Sequence, residues 1–298
     1  MFINKKQNIF FLTIFFLIQI ISVFDLSAKE LKDQTGRMVY VPDNPMQVVS
    51  LAPSITEIIF SLKQEKRLAG VTQFSDFPEQ AQKMPKVGSY IHLDLEKIVS
   101  LKPDLCIAVK DGNPIAIIKR LEMFKIPVYA VNPVNMDSVL KAIKEIGNVL
   151  NAEKRAEFLV QDMVSRINYI KQQVSKIKHR PGVFFQIGIS PIVAAGTNTF
   201  IHELIVTAGG QNLSAGDVPY PRFSHEQVLA LAPEVLIITS MARGEVFQKV
   251  KKDWERWPDI PAVKNKMIYL VDSNIFDRPS PRMVTGLEQL FKLIHPNN

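Results

Sequence analysis

Cysteine is nearly absent, since the 298-residue chain contains one, Cys106. A single cysteine cannot form an intramolecular disulfide, and it cannot supply the several thiolates that an iron–sulfur cluster requires. Because it lies in the apolar segment LCIAV, we predict a buried small hydrophobic side chain rather than a reactive thiol. No cysteine lies near Ala28, so we also expect a protein that is not a lipoprotein.

Common catalytic and metal-binding motifs are missing as well. The chain has no P-loop, HExxH, CxxC, nucleophile elbow or glycine-rich dinucleotide turn. Its five histidines do not have the close spacing of a structural metal site, although His92 in a loop could be an apical ligand to a bound metal chelate. We therefore expect no catalytic residue and no resident metal. An enzyme on this scaffold, such as a metal chelatase or a cluster-bearing reductase, is the alternative from another functional class.

Charge of one sign is not concentrated anywhere in the chain. The 36 Lys and Arg residues exceed the 29 Asp and Glu residues, for a formal net charge of +7, but they are spread along the sequence. A clustered basic face is the usual mark of nucleic-acid binding. We predict that the protein has no nucleic-acid partner.

The N-terminus carries a long hydrophobic run. Lys5 and Lys6 precede an apolar segment over residues 9–24, and Leu26 lies two residues before Ala28. This order is typical of a secretory signal peptide cleaved after Ala28, which predicts a soluble mature protein outside the cytoplasm. The alternative is an uncleaved membrane anchor, because the run is longer than a usual signal-peptide core and leucine is unfavourable three residues before a cleavage point.

Short apolar runs and amphipathic stretches alternate on both sides of one long helical segment, residues 152–178. At about 1.5 Å per residue, that helix would be about 40 Å long and could bridge two lobes. We predict an α/β protein with a signal peptide (1–28), an N-terminal α/β lobe (29–150), a connecting helix (151–180) and a C-terminal α/β lobe (181–298). Apolar residues recur along the long segment at intervals of three and four, at Ala156, Leu159, Met163, Ile167, Ile170, Val174 and Ile177.

One helix-then-strand phrase occurs twice. LEKIVSLKPDLCIA and HEQVLALAPEVLII align at an offset of 130 residues, which pairs Glu96 with Glu226. The helix dipole favours a carboxylate in a first helical turn by roughly 0.3–1 kcal/mol, which explains either residue alone but not their equivalent positions. We predict that the two carboxylates contact two basic sockets on a symmetric partner.

Four loops that follow predicted strands combine aromatic and hydrogen-bonding residues. Ligands of open α/β sheets collect outside the carboxyl ends of the strands, and this composition suits a large, flat ligand with polar edges. The alternative is that the rings belong to the core and that the charges pair locally. The loop residues are Phe74, Ser75, Asp76, Phe77, Tyr90, Tyr220, Arg222, Phe223, Asn274, Phe276, Asp277 and Arg278.

The chain contains the motifs VVSLAPSITEIIF, SDFPEQAQKMPKVGSY, LEKIVSLKPD, FQIGISP, AGGQN, VPYPRFSHEQVLALAPE and FDRPSPR. In these motifs it resembles the periplasmic vitamin B12-binding proteins of ABC importers, and more broadly the helical-backbone class of substrate-binding proteins that also carries haem and ferric siderophores. The resemblance implies two α/β lobes, each with a mostly parallel sheet, joined by one rigid helix, with the ligand between them and little closure on binding. It also implies a periplasmic monomer without a catalytic cofactor, which carries cobalamin to a dimeric permease in the inner membrane.

The resemblance implies roles for individual residues. Glu96 and Glu226 would dock against arginines of the permease. The residues implied in corrinoid binding are Phe74, Tyr90, Tyr220, Asn274, Ile275, Phe276, Asp277 and Arg278.

Departures from the pattern leave the cargo open. Val109, Ile187 and Val193 stand where well-known B12 binders have aromatic rings, Asn274 replaces an acid, and the disulfide of the C-terminal lobe is missing. Haem or a ferric siderophore is the alternative cargo. Iron could then be bound by Tyr90 or His92, or an anionic chelate could face Arg222 and Arg278.

Overall fold

The computed structural model describes residues 27–239 and 245–297. Strands and helices alternate in the first part of the chain, up to the end of its longest helix. In chain order these elements are β1 (Ala28–Lys32), β2 (Met38–Pro42), β3 (Val48–Ser50), α1 (Pro53–Ser61), a 3-10 turn (Glu65–Arg67), β4 (Leu68–Val71), α2 (Glu79–Gln82), α3 (Leu95–Ser100), β5 (Leu105–Val109), α4 (Ile115–Met123), β6 (Val128–Val131), α5 (Met136–Val149) and α6 (Glu153–Ser175).

The alternation continues in the second part of the described chain. Its elements are β7 (Gly182–Gly188), β8 (Ile192–Ala194), α7 (Phe200–Thr207), β9 (Gln211–Asn212), β10 (Arg222–Phe223), α8 (His225–Leu231), β11 (Val235–Ile238), α9 (Glu245–Glu255), α10 (Pro261–Lys264), β12 (Ile268–Leu270), α11 (Ser273–Phe276) and α12 (Met283–Ile294). The proposed signal-peptide segment lies almost wholly outside the described residues.

The N-terminal sheet has four parallel strands in the order β4-β3-β5-β6, and β1 and β2 form a separate antiparallel pair. Side chains of β5 alternate between two cores: Leu105 and Ile107 pack with α1 and α5, whereas Cys106 and Ala108 pack with α3 and α4. A parallel sheet covered on both faces requires strands that are apolar throughout. The prediction that Cys106 is a buried hydrophobic residue is confirmed, and burial raises the pKa of its thiol.

The C-terminal sheet has the order β10-β8-β7-β11-β12, and the short β9 pairs with the start of β7. Strands β7, β11 and β12 are parallel, β8 pairs antiparallel with β7, and β10 pairs antiparallel with β8 at that edge. Phe185 faces the core that contains α6, and Phe184 faces a second core with Trp254. The expected parallel sheet is therefore present at the centre, and β8 and β10 extend it at one edge.

Helix α6 connects the two halves and is 23 residues long, about 34 Å. It packs against α5 of the N-terminal half and against α7 and α12 of the C-terminal half. The predicted apolar stripe is confirmed, since its buried residues include Ala156, Met163, Ile167, Ile170 and Val174. The helix thereby joins residues from both lobes in one continuous core.

The repeated phrase folds the same way in both lobes. Asp94 and Ser224 are the N-caps of α3 and α8, and each side chain accepts a hydrogen bond from the backbone N–H three residues further on, at 3.1 and 3.3 Å. Lys102 and Ala232 then take the left-handed conformation, with φ of 48° and 47°, after which the chain enters β5 and β11.

Residues 27–239 and 245–297 contain no helix that is both long enough and apolar enough to cross a membrane.

Candidate ligand-binding cleft

A cavity of about 840 Å³ lies between the lobes. Its N-terminal wall is formed by residues that follow β3, β4, β5 and β6, and its C-terminal wall by the end of β7, the start of α7 and the loops around Tyr220 and α11. The carboxyl ends of the parallel strands of both sheets therefore face the same space, as expected for a ligand site in open α/β sheets. Its lining residues include Ala52, Ser54, Phe74, Tyr90, Val109, Asp111, Asn132, Ile187, Thr199, Tyr220, Asn274, Asp277 and Arg278.

Six of the eight residues implied in ligand binding line this cavity: Phe74, Tyr90, Tyr220, Asn274, Asp277 and Arg278.

The other two, Ile275 and Phe276, do not. Phe276 has no exposed surface, and its ring centroid lies 5.8 Å from that of Phe185 in the core. Ile275 is partly buried against the same core. The role in ligand binding that the resemblance implies for Phe276 does not fit this position, because its ring lies in the core.

Buried hydroxyl groups support the loop that carries Phe74. Ser75 Oγ is 3.0 Å from Thr56 Oγ1 and 2.9 Å from Thr72 Oγ1, so the loop is tied to α1. Lys86 Nζ donates to the carbonyl of Ser75 at 3.0 Å, and its desolvation lowers the pKa of the Lys86 ammonium. Phe74 itself remains 47% exposed on this anchored loop. The Phe74 ring is therefore accessible to a ligand in the cleft.

Asn113 fixes the position of Tyr90 and was not identified from the sequence. This buried amide accepts from Val109 N at 2.8 Å and donates to the carbonyls of Leu51 at 2.9 Å and Tyr90 at 2.7 Å. Gly112, at φ +119°, passes so close to the Tyr90 ring that a Cβ there would lie 2.6 Å from it. A polar residue next to a glycine after an apolar strand is the sequence signal for this support.

Arg278 is held by groups from the opposite lobe. Its Nη1 donates to Glu57 Oε1 at 3.0 Å and to Asp76 Oδ1 at 2.8 Å, and its Nη2 donates to the carbonyl of Phe74 at 2.8 Å. These contacts fix the guanidinium of Arg278, a residue that lines the cleft, to the N-terminal lobe. The carboxylates of Glu57 and Asp76 also neutralise much of the positive charge of Arg278.

Glu57 is the centre of this group of charges and was also missed. Its side chain is 2% exposed, and it accepts hydrogen bonds from Arg278, Arg282 and Ser280. Arg282 additionally stacks over the Phe77 ring at 3.9 Å from the centroid. The sequence signal was an acid inside the apolar helix TEIIF, since a carboxylate on a buried helix face needs a partner.

Asp277 has an unsatisfied carboxylate oxygen. Its Oδ2 is 3.4 Å from Thr239 Oγ1, whereas its buried Oδ1 has no hydrogen-bond partner among the described residues. Burial raises the pKa of Asp277 to about 7, although Thr239 and Arg278 act in the opposite direction. Burial, together with the charges of Asp111 and Asp277, also raises the pKa of Tyr220.

Two residues considered as ligand-facing groups lie elsewhere. His92 is exposed and Arg222 belongs to the edge strand β10, and neither lines the cavity. Within the part of the chain that the structure describes, there is no group of three or more His, Cys, Asp and Glu side chains arranged to hold a metal ion.

Glu96 and Glu226 lie outside the cleft. Both are exposed and both occupy the second position of their helix, after the equivalent caps Asp94 and Ser224. A hydrogen bond from Ser224 lowers the pKa of Glu226. The structure places two carboxylates at equivalent points of the two lobes.

The sequence matches a family model described as periplasmic binding protein over residues 48–275. That range contains both sheets and most of the residues that line the cleft. The chain belongs to the periplasmic binding protein family.

Two relatives extend this finding. YvrC of Bacillus subtilis, named as an uncharacterized ABC transporter substrate-binding lipoprotein, is 30% identical over 89% of this chain and 85% of the relative. A Salmonella typhi protein named vitamin B12-binding protein is 32% identical over 82% of this chain and 88% of the relative. The resemblance to vitamin B12-binding proteins is confirmed.

Solved structures agree on the fold. The periplasmic vitamin B12-binding protein BtuF of Vibrio cholerae superposes with a TM-score of 0.76 at 26% identity, over 85% of this chain and 97% of that one. The periplasmic haem-binding protein RhuT of Roseiflexus has a TM-score of 0.76 at 25% identity, over 84% and 98%. The predicted architecture of two α/β lobes with a connecting helix is confirmed.

The family assignment defines a transport role. The chain is a substrate-binding protein of the ABC-transporter type, which passes a small-molecule ligand to a membrane permease. The ligand of such a protein is cargo and not a catalytic cofactor.

The expectation that the protein is not a lipoprotein is contradicted. It was drawn from the lack of a cysteine near Ala28, yet YvrC, which matches over most of this chain, is named a lipoprotein. The absence of one attachment residue is too narrow a basis for excluding a lipid-anchored protein in this group. A location outside the cytoplasm still fits.

Proposed function

We propose that the protein captures vitamin B12 or a related corrinoid in the periplasm and delivers it to an ABC importer in the inner membrane. The supporting observation is the cleft lining: aromatic rings of Phe74, Tyr90 and Tyr220 together with polar groups of Asn274 and Asp277. Flat rings suit a planar macrocycle, and the polar groups suit the amide side chains at its edge. The volume of about 840 Å³ lies within the range of small-molecule sites.

The charges of the cleft favour a corrinoid over an anionic chelate. Of the described lining residues, Arg278 alone carries a positive side-chain charge, and it faces Glu57 and Asp76. An anionic siderophore would compete with these carboxylates for Arg278. The amides of a corrinoid are neutral and require no such exchange.

Haem is the second candidate cargo. The tyrosine hydroxyls of Tyr90 and Tyr220 are oxygen groups within the cleft that could bind ferric iron, and RhuT has the same fold. His92 does not share this position, because it lies outside the lining.

An absorbance titration of the purified protein with cyanocobalamin, haem and a ferric siderophore tests the assignment. We expect cyanocobalamin to bind with submicromolar affinity and to be recovered chemically unchanged, because the protein transports its ligand and catalyses no reaction on it. Submicromolar binding of haem or siderophore without binding of cyanocobalamin would reject the corrinoid. Release of a converted product without any permease would instead support an enzyme.

We propose that the protein docks onto its permease through Glu96 and Glu226. Each exposed carboxylate would enter one arginine socket of a dimeric permease, and a monomeric receptor with two similar lobes would span both sockets.

Maturation is proposed to remove residues 1–28 as a signal peptide, leaving the lobe of residues 29–150, the connecting helix of residues 151–180 and the lobe of residues 181–298. Strand β1 begins at Ala28, next to this cleavage point. N-terminal sequencing of the exported protein distinguishes cleavage from a retained membrane anchor.

A further inference from the structure

The N-terminal lobe presents a second surface at the end opposite to the cleft. Residues that follow β3, β4, β5 and β6 line the cavity, so the segments that lead into these strands lie at the other end of the sheet. These segments, residues 43–47, 62–67, 101–104 and 123–127, are called the basal face. Because the strand order is β4-β3-β5-β6 and neighbouring strands are about 4.8 Å apart, they form one continuous row about 15 Å long.

Exposed lysines give the basal face a positive charge. Three helices of the lobe, α1, α3 and α4, are each followed by a lysine in the left-handed conformation, with φ of 58°, 48° and 61°. The carboxyl end of a helix favours a cation, so the lysines are compatible with these positions. None of the lysines of this face forms an ion pair with another described residue. They are Lys63, Lys66, Lys102 and Lys125, and all four are exposed.

Acidic groups of the basal face do not balance this charge. The two carboxylate oxygens of Asp104 accept from Met46 N at 2.6 Å and from Gln47 N at 3.0 Å. Glu65 is partly buried, and its Oε2 has no accessible surface. Asp43 is the exposed acid among the described residues of this face. The exposed lysines therefore outnumber the exposed carboxylates.

Large apolar side chains are exposed beside the lysines. Met123 is 82% exposed, Phe124 is 56% exposed and Met46 is 49% exposed. Scattered exposed apolar residues are common, but these three share one row with four lysines. The combination is typical of proteins that lie on a membrane, where apolar side chains enter the interfacial region and lysines contact anionic headgroups.

The described chain begins on the same surface. Asp43 N donates to the carbonyl of Ser27 at 2.9 Å, so the chain enters the fold beside the basal face. The apolar run of residues 9–24 ends three residues before Ser27. Three residues span at most about 10 Å. A chain that is still joined to a membrane through this run therefore keeps the basal face next to the bilayer.

We propose that the basal face binds the surface of a bilayer that contains anionic phospholipid. Its lysines contact the headgroups, and Met123 and Phe124 enter the interfacial region. Glu96 lies at the start of α3, whereas Lys102 follows the end of the same helix, so the docking carboxylate is at the far end from the lipid. The membrane-bound protein therefore keeps its cleft open to ligand and leaves the lipid to dock. This inference does not depend on which ligand the cleft carries.

Co-sedimentation of the mature chain, residues 29–298, with phospholipid vesicles tests the proposal. The probes are vesicles of phosphatidylethanolamine with about 30% phosphatidylglycerol, and vesicles of phosphatidylcholine alone. The test proteins are wild type, the double variant Lys63→Gln with Lys125→Gln, and Phe124→Ala. Circular dichroism verifies that each variant is folded.

A matched control is the double variant Lys178→Gln with Lys266→Gln. It removes the same charge from two exposed lysines of the C-terminal lobe, away from the basal face. Lys266 also follows a helix in the left-handed conformation, with φ of 58°.

We expect wild type and the control to bind phosphatidylglycerol vesicles at about 0.15 M salt and to dissociate at about 1 M salt. Neither should bind phosphatidylcholine. The Lys63 and Lys125 variant should bind about twentyfold more weakly, because each lysine near an anionic surface contributes roughly fivefold. Phe124→Ala should also weaken binding, and cyanocobalamin affinity should be the same with and without vesicles.

Three results would overturn the inference. They are a wild type that does not bind phosphatidylglycerol vesicles, equal losses in the Lys63 and Lys125 variant and in its control, and competition between vesicles and cyanocobalamin. Equal losses would show that net charge alone attracts the protein, and competition would place the lipid in the cleft. Binding of haem and no corrinoid would reject the proposed function and leave this inference intact.

Discussion

Glu57 and Arg278 form an ion pair between the two lobes, with Arg278 Nη1 3.0 Å from Glu57 Oε1. Their side chains are 2% and 11% exposed, so the pair is largely removed from water. Glu57 lies on α1, whose first residues line the cleft, and Arg278 lines the cleft from the other side. The two lobes are therefore joined beside the cleft by this ion pair as well as by the core around α6.

The Glu57→Gln substitution is expected to destabilise the protein by about 3 kcal/mol or more. It removes a buried charge and leaves Arg278 and Arg282 without their shared partner, and breaking a buried ion pair typically costs about this much. The midpoint and slope of urea unfolding measure the change.

A matched control is the Glu122→Gln substitution. Glu122 accepts from Arg37 at 2.7 Å, but it is 43% exposed, and exposed pairs contribute roughly 1 kcal/mol or less. Similar effects of the two substitutions would show that the Glu57 cluster does not hold the lobes together.

Truncation of the cleft aromatics is expected to weaken cyanocobalamin binding. Phe74→Ala and Tyr220→Ala each remove a ring from the lining, and burial of such a ring is worth roughly 1.5–3 kcal/mol, or about tenfold to a hundredfold in affinity. Phe158→Ala is the control, because this 61% exposed ring lies on α6 outside the cleft. Fluorescence quenching titrations give the three affinities, and wild-type values for both cleft variants would place the ligand elsewhere.

The double substitution Glu96→Ala and Glu226→Ala is expected to leave cyanocobalamin affinity unchanged and to abolish uptake. Both carboxylates are exposed and neither lines the cavity, so their removal should affect contact with the permease alone. Glu153→Ala, another exposed first-turn acid, serves as the control. Radiolabelled cobalamin uptake is measured beside calorimetry; equal losses of binding and uptake would assign the pair to the ligand site.

Hydrophobic periodicity was sufficient to predict much of the fold. The 3.6-residue stripe of α6 and the fully apolar β5 are local patterns that report burial directly, and the repeated caps at Asp94 and Ser224 mark helix starts by their chemistry. The antiparallel β8 and β10 were missed, because strands of two or three residues carry no detectable period.

The cleft was less predictable because its supports join residues that are distant in sequence. Glu57 meets Ser280 across 223 positions, and Asn113 meets Leu51 across 62. Phe276 shows a second limit of sequence-based prediction. The sequence of a ligand loop is the same whether its aromatic ring faces the cavity or the core. The one-turn helix α11 decides that direction, and no sequence period encodes it.

The raised pKa of Asp277 predicts how the stability of the ligand-free protein depends on pH. A carboxyl whose pKa rises from 3.8 in the unfolded chain to about 7 on folding binds its proton more tightly in the folded state. Its contribution to stability is therefore greatest at pH values below 3.8 and is lost as the pH rises through 7. Between pH 5 and 7.5, the wild type should lose on the order of 2 kcal/mol of unfolding free energy relative to Asp277→Asn, because the asparagine side chain cannot titrate.

Urea unfolding of both proteins at pH 5, 6 and 7.5 measures this difference. Asp259→Asn, which removes an exposed carboxylate outside the cleft, is the control and should show the same pH dependence as the wild type. A constant difference between wild type and Asp277→Asn would mean that the Asp277 carboxyl is solvated in the empty cleft and has a normal pKa.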